Sequence, residues 1–523
     1  MHRLWVLMVV TSACAADRAR TAPPPRDLET FGDTRAHATP APTASTEAAP
    51  AAPATTAAPA KPTQPAPPPQ PPAPPAEPDA ATITAMKWPA NTKSFVIKTS
   101  AHVFEQPDMK LEPLGKILAG TRLHVVGHAV GNKSCKMFLS VPPYGYICAR
   151  YAKPSTASPE AIAQPMIPTG ELLPQTYWGI KKGAHRYATV EDVRAGIPKP
   201  ERSENVSYMV TREDKPVDID GVAYAETSVG LVAVTDLYKH WPSTFAGIDL
   251  VRTPPPAWPF AWVLADDKKV ITARATPDKK SAAAGTLAHR QIVPILEESG
   301  AYVRVADGQW IPRKSVRIAR TRTRPEATDA HAKWIDIDRD EQVMIAYDGD
   351  KPVYATLISS GRRKNDTPPA VYRIRSKSSL TKMAAEEREA SHYEVSEVPW
   401  ATRFRSGLYF HAAYWHDRFG NVQSHGCVNL SPTDAKWVYD WTEPHMPDGW
   451  NELEVRVPGS MIVRVYDAKH PDPPVFDYAK EAIQRAKIRK QEEKLKKERE
   501  EREAEERSAA EAAAGIAPSA PAP

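Results

Sequence analysis

Long apolar runs are scarce in this chain of 523 residues. The run at residues 4–10 has seven members, far short of the roughly 20 that a helix needs to cross a bilayer. No second long apolar stretch follows, so no segment reads as a spanning helix. Cysteine is also sparse. Four residues, Cys14, Cys135, Cys148 and Cys427, exclude a disulfide-framework protein, and each is read on its own. Charge of one sign is missing as well: 68 Lys and Arg stand against 63 Asp and Glu, a net of +5. That near balance gives no case for nucleic acid as a partner. Aromatics vanish between residues 21 and 80, where Phe31 stands alone among 18 of the chain's 54 prolines. Such a segment cannot bury enough apolar area to offset its ordering entropy.

What remains is organised by its punctuation. Met1-His2-Arg3, the apolar run and Thr11-Ser12-Ala13-Cys14 read as an export signal over 1–14. Its cysteine resembles the lipidated thiol of a bacterial lipobox, although Thr11 stands where that pattern prefers Leu. Ordinary cleavage near Ala13 or Ala15 is the plainer alternative. The expected location is the periplasm or cell envelope, with Cys14 as the one lipid anchor to a membrane. Residues 15–92 read as a Pro/Ala-rich disordered linker, able to reach over about 100 Å if extended as polyproline II.

Short apolar runs broken by turn residues fill 93–155 and return at 259–319. Pro107-Asp108 precedes Gly115 by the same spacing that separates Pro277-Asp278 from Gly285. Both segments look like bacterial SH3-type small barrels. Cys135 and Cys148 flank Val141-Pro142-Pro143-Tyr144-Gly145, so a disulfide across that hairpin is expected, with two buried thiols as the alternative. Residues 170–255 read as a further small β or α+β module without assigned chemistry.

Chemistry gathers in 331–467. Trp334-Ile335-Asp336-Ile337-Asp338 alternates, and a hairpin with its turn at Asp348-Gly349-Asp350 follows. Between later β segments lies His411-Ala412-Ala413-Tyr414-Trp415-His416, then Ser424-His425-Gly426-Cys427-Val428-Asn429-Leu430-Ser431-Pro432. A thiol with a pKa of about 8.5 is mostly protonated at neutral pH, and a neighbouring imidazole can take its proton and later return it to a leaving amine. Gly426 lets backbone come close to a substrate. Ser431, Pro432 and Asp434 read as N-cap, N1 and N3 of a helix whose positive end faces the thiol region.

Ser424-His425-Gly426-Cys427-Val428-Asn429, with His411 sixteen residues before the cysteine, resembles the active-site signature of the L,D-transpeptidases, the YkuD family. Asn429 replaces the arginine of most members, as it does in a subset of them. Thr367-Pro368-Pro369-Ala370 departs from the family's Thr-Pro-Thr-Gly stretch. The resemblance implies a mainly β protein, with a YkuD-type β-sandwich following the SH3-like domains. It implies Cys427 as nucleophile, His411 as base, the backbone carbonyl of Ala412 orienting that ring, His425 in support, and amides around Gly426 and Cys427 as the oxyanion site. Ser424, Asn429, Tyr414, Trp415 and Trp400 are the candidates for substrate contact, and no cofactor is implied.

The implied reaction is acyl transfer on peptidoglycan stem peptides, through a thioester that releases D-Ala and passes to an amine to make 3→3 cross-links. Water as acceptor would make it an L,D-carboxypeptidase. A protein lysine would attach an outer-membrane or other wall-linked protein. Rival readings are a zinc site built from His411, His416, His425 and Cys427, against which the absence of a Cys-x2-Cys pair counts, and an inactive wall-binding scaffold. Residues 476–510 carry too few large apolar side chains for heptads and read as a solvated charged helix with Glu-first i,i+4 pairs, ahead of a disordered tail at 511–523.

Overall fold

The computed structural model describes residues 77–513 except 161–164, 200–206, 214, 266–269, 327, 329–331, 364–365, 385–392 and 456–459. The export signal, the lipidation candidate Cys14, most of the linker and the tail from 514 lie outside the described residues. Among the described residues, no helix is long and apolar enough to cross a membrane. The linker ends earlier than its composition implies. Asp79 caps a helix at Ala80–Ala85, its amide donates to Val125 O at 2.9 Å, and Met86 and Trp88 pack on the first module.

Three modules precede the region that carries His411 and Cys427, and they share one topology. In each, the opening strand lies between two antiparallel neighbours, the later of which closes the module. Ser94–Ile97 lies between Arg122–His124 and Ala152–Ser155; Trp178–Ile180 between Ser207–Val210 and Leu237–Lys239; Phe260–Val263 between Ile292–Pro294 and Val316–Ala319. Each closing strand is entered through a 3₁₀ turn, at Ala149–Tyr151, Val234–Asp236 and Arg313–Ser315. Residues 170–255 are therefore a third copy of the arrangement. The sheets are open and packed face to face rather than closed into barrels. The shared Pro-Asp spacing has a physical cause: Asp108 and Asp278 accept the amides of Lys110 and Lys280 at 3.0 and 2.8 Å, the same turn ahead of the next strand. Cys135 and Cys148 are joined as a disulfide.

The region that carries His411 and Cys427 is a two-sheet sandwich with a helix. One sheet runs in the order Ile248–Asp249, Lys351–Leu357, Val343–Asp348, Lys333–Asp338, Ile462–Tyr466, Ala370–Arg373. The other is ten-stranded, centred on Tyr393–Arg405 and Ser376–Ala384, and the modules complete it at both edges. Gly115–Ile117 of the first module adds to Trp450–Glu454, while Ser207–Val210 of the second pairs in parallel with the start of Tyr393–Arg405. Added strands satisfy edge amides that would otherwise template aggregation.

The alternation at 334–338 suggests one wet face, but both faces are covered. Ile335 and Ile337 enter the sandwich core. Trp334, on the opposite face, packs with Phe260 and Trp262 of the third module. Asp336 is consequently buried, and Arg464 meets it with a two-pronged ion pair at 2.8 and 2.6 Å. Tyr478–Ala513 forms the charged helix. Among the described residues its i,i+4 ion pairs Lys494–Glu498, Lys496–Glu500, Lys497–Glu501 and Arg502–Glu506 run base-first, while Glu492–Lys496 and Glu503–Arg507 include side chains outside the described residues. Exposed pairs are worth so little that either set can form.

Candidate active site

The site is built on two short parallel strands, Leu408–Ala412 and Val428–Leu430, with His411 directly across from Asn429. Cys427 immediately precedes the second strand. Strand spacing and rise place its Cα about 8 Å from that of His411, within reach of two side chains on one face. Both residues line a cleft of about 790 Å³, together with Tyr409, Trp415, His416, Ser424, His425 and Asn429.

Short polar contacts shape the turn ahead of the thiol. Ser424 Oγ donates to Cys427 O at 2.6 Å and accepts the Gly426 amide at 3.0 Å. That amide is held within the turn. Thr367 Oγ1 donates to Gly426 O at 2.6 Å and accepts the Gly361 amide at 2.9 Å. Gly426 has a φ of +145°, and a Cβ there would meet Asp366 O at 2.7 Å, so only glycine fits. Cys427 Sγ lies 3.5 Å from Gly407 O. At the next element, Ser431 Oγ accepts the Asp434 amide at 3.1 Å and Pro432 opens the helix Pro432–Trp441. Asp434 is buried, taking hydrogen bonds from Thr356 Oγ1 at 2.6 Å, Tyr354 OH at 2.7 Å and Gly247 N at 2.8 Å. These contacts tie the helix to the sandwich and to the segment leading into its edge strand Ile248–Asp249.

His411 is buried, and its Nδ1 sits 3.2 Å from Ala412 O. A carbonyl can only accept, so the proton is on Nδ1 and the Nε2 lone pair is free to act as base. Burial presses its pKa down to about 4, partly opposed by the Ala412 carbonyl, so the ring is neutral at physiological pH. Trp415 stacks over it with ring centroids 5.6 Å apart.

Sequence reasoning passed over one cleft residue as a contributor to the machinery. Arg418 N–H donates to His416 Nδ1 at 3.2 Å, which leaves the His416 ring proton on Nε2. That nitrogen is 3.0 Å from Asn429 Nδ2, while the buried Asn429 Oδ1 has no partner. Turning the Asn429 amide over resolves both: His416 Nε2–H then donates to Oδ1. His416 is also neutral, its pKa lowered to about 4 by burial and then by the neighbouring His411.

Other expectations need correction. Tyr414 and Trp400 do not face the cleft. Tyr414 is buried against Tyr177, centroids 3.8 Å apart, and Trp400 points into the sandwich core. Chain parity explains the first, because Trp415 takes the cleft side. His425 lines the cleft at its exposed rim, stacked on Tyr393 at 5.0 Å and 3.4 Å from Arg362. Among the described residues, the three histidines and Cys427 do not form a metal-holding group.

Residues 332–463, about a quarter of the chain, match the model of the YkuD L,D-transpeptidase catalytic domain. A putative L,D-transpeptidase of Bacillus subtilis, YciB, is 28% identical over 134 residues, which cover 23% of this chain and 66% of that protein. L,D-transpeptidase 1 of Mycobacterium tuberculosis is 45% identical over 53 residues, 10% of this chain and 18% of the relative. The chain thus spans just under two thirds of one curated relative and less than a fifth of the other. Among solved structures, the catalytic domain of the E. faecium L,D-transpeptidase is 22% identical at a TM-score of 0.21, covering 27% of this chain and all of that one. LdtMt1 in complex with imipenem is 20% identical at 0.22, covering 32% and 78%.

Proposed function

We propose, starting from the YkuD-family domain at 332–463, that this protein is a peptidoglycan L,D-transpeptidase with Cys427 as its nucleophile. The observation that carries the reading is a thiol on a glycine-constrained turn, in one cleft with a buried neutral imidazole whose free nitrogen is Nε2. His411 Nε2 takes the thiol proton as sulfur attacks the carbonyl of the third stem residue. The C–N bond to D-Ala breaks, and the imidazolium protonates the departing amine. A conjugate acid as strong as that of His411 gives up its proton readily. An amine of a second stem then attacks the thioester, returns a proton through His411, and releases the thiol with a 3→3 cross-link formed. Arg362 and Arg418 line the same cleft and suit the carboxylates of such peptides.

The three modules ahead of this domain are proposed to be wall-binding units. The export signal, a lipid anchor at Cys14 and the Pro/Ala-rich tether would hold the enzyme at the envelope within reach of the wall. Incubating the full chain with disaccharide-tetrapeptide and reading products by mass spectrometry tests the proposal. D-Ala release with 3→3 dimers, both lost in Cys427→Ala, is the expected result. D-Ala release without dimers would assign the carboxypeptidase reaction, and no release would overturn the proposal.

A further inference from the structure

The loop that leads from His411 to Cys427 is held from outside by the third module and by the segment that runs from the second module into the sandwich. Arg290, in the third module, grips Asp417 three times: Nη1 to Oδ2 at 3.2 Å, Nη2 to Oδ1 at 2.6 Å, and Nη2 to the Asp417 carbonyl at 3.0 Å. Ser243, in the connection between the second module and the sandwich strand Ile248–Asp249, donates to the same Oδ1. Phe419 stacks on Phe245 of the same connection with centroids 6.2 Å apart, and the Arg290 guanidinium lies 4.6 Å from that Phe245 ring. Arg317 Nε donates to Gly420 O at 2.6 Å and its Nη2 to Asn421 Oδ1 at 3.2 Å. Gly420 has a φ of +93°, and a Cβ there would come within 2.8 Å of Leu264 in the third module. Arg290 itself takes a φ of +63°, which side-chain-bearing residues rarely adopt.

Between these anchors stands His416, bonded to Asn429, which sits across the strand pair from His411. We propose that the accessory modules set the shape of the catalytic cleft, with Arg290 as the positioning residue that fixes Asp417 and, through it, His416 against Asn429. A lone exposed ion pair would add little stability. A two-pronged guanidinium–carboxylate contact instead fixes both place and orientation, and here it joins two further anchors on five consecutive residues. An irregular connection of this length keeps a single shape only where such ties offset its entropy. The clamp therefore acts on geometry more than on global stability. Its catalytic meaning rests on the transpeptidase reading above; the clamp as such does not.

The test uses the full chain as Arg290→Ala, Arg290→Lys and, as a control, Arg304→Ala, whose partners Glu297 and Asp307 are in the same module and off the loop. Amide exchange is followed at 413–423, where Gly420 N and Gln423 N are bonded to Ile358 O and Ser360 O, and Cys427 acylation is followed with a carbapenem. In Arg290→Ala, loop exchange should speed up and acylation slow down, each by about tenfold, at an unchanged melting temperature. Arg290→Lys should recover part of both, because an ammonium keeps the charge but not the fork. Exchange within about twofold of wild type in Arg290→Ala, or equal losses in Arg304→Ala, would overturn the clamp. Should the wild-type chain resist acylation altogether, the transpeptidase reading falls, and the exchange rates alone uphold or overturn the clamp.

Discussion

At the scale of single residues, the site depends on how dry His411 is. Its pKa of about 4 comes first from burial, so the neutral, proton-accepting ring persists down to that pH. Acylation of Cys427 should therefore hold its rate as pH falls to about 5 and decline only through about 4, measured with a carbapenem across a pH series. Trp415→Ala removes the ring stacked on His411 and admits water, so the same decline should move upward, toward the ordinary histidine pKa of about 6.5. His411→Ala should slow acylation by about 10²- to 10⁴-fold at pH 7. A rate in that variant close to wild type would remove the imidazole from the mechanism.

Among the elements, two buried charged groups have distinct roles. The Asp336–Arg464 pair joins the parallel strands Lys333–Asp338 and Ile462–Tyr466 inside the protein. Arg464→Ala leaves a carboxylate uncompensated there and should cost about 3–5 kcal/mol in denaturant unfolding. Lys377, on the strand Ser376–Ala384, lies at the far end of the site helix. Its Nζ donates to Thr442 O at 2.9 Å and Pro444 O at 3.2 Å. Burial lowers its pKa to about 7. Between about pH 7 and the usual lysine value of about 10.4, the unfolded chain binds a proton that the folded chain has lost. Stability should thus rise with pH through that window, and Lys377→Met should flatten the slope in melting curves taken from pH 7 to 10.

For the molecule as a whole, the sandwich that carries Cys427 is not bounded by the family match at 332–463. The third module supplies Phe260 and Trp262 to a core shared with Trp334, Tyr347 and Val371, and the first two modules complete the edges of the ten-stranded sheet. Each large apolar side chain returned to water costs about 1.5–3 kcal/mol, so exposing that face alone rivals a domain's total stability of about 5–15 kcal/mol. Residues 331–467 expressed alone should be aggregated or unfolded by light scattering and circular dichroism, whereas 77–513 should be folded. A monodisperse, cooperatively melting 331–467 fragment would refute this.

What could be read from the chain alone was local. The Cys427 turn, His411, the Ser431 helix start, the hairpin around Gly349 and the paired Asp108 and Asp278 turns each follow from residues a few positions apart, whose conformational preferences act without help from the rest of the fold. Three other features needed the folded molecule. The shared topology of residues 170–255 leaves little trace in side chains, because hydrogen bonding between strands is a backbone property. Trp400 and Tyr414 were assigned to the cleft, but which face a residue presents depends on what covers the sheet. The grip of Arg290 on Asp417 spans 127 positions, and no local preference encodes a contact that exists only once separate modules have closed around one loop.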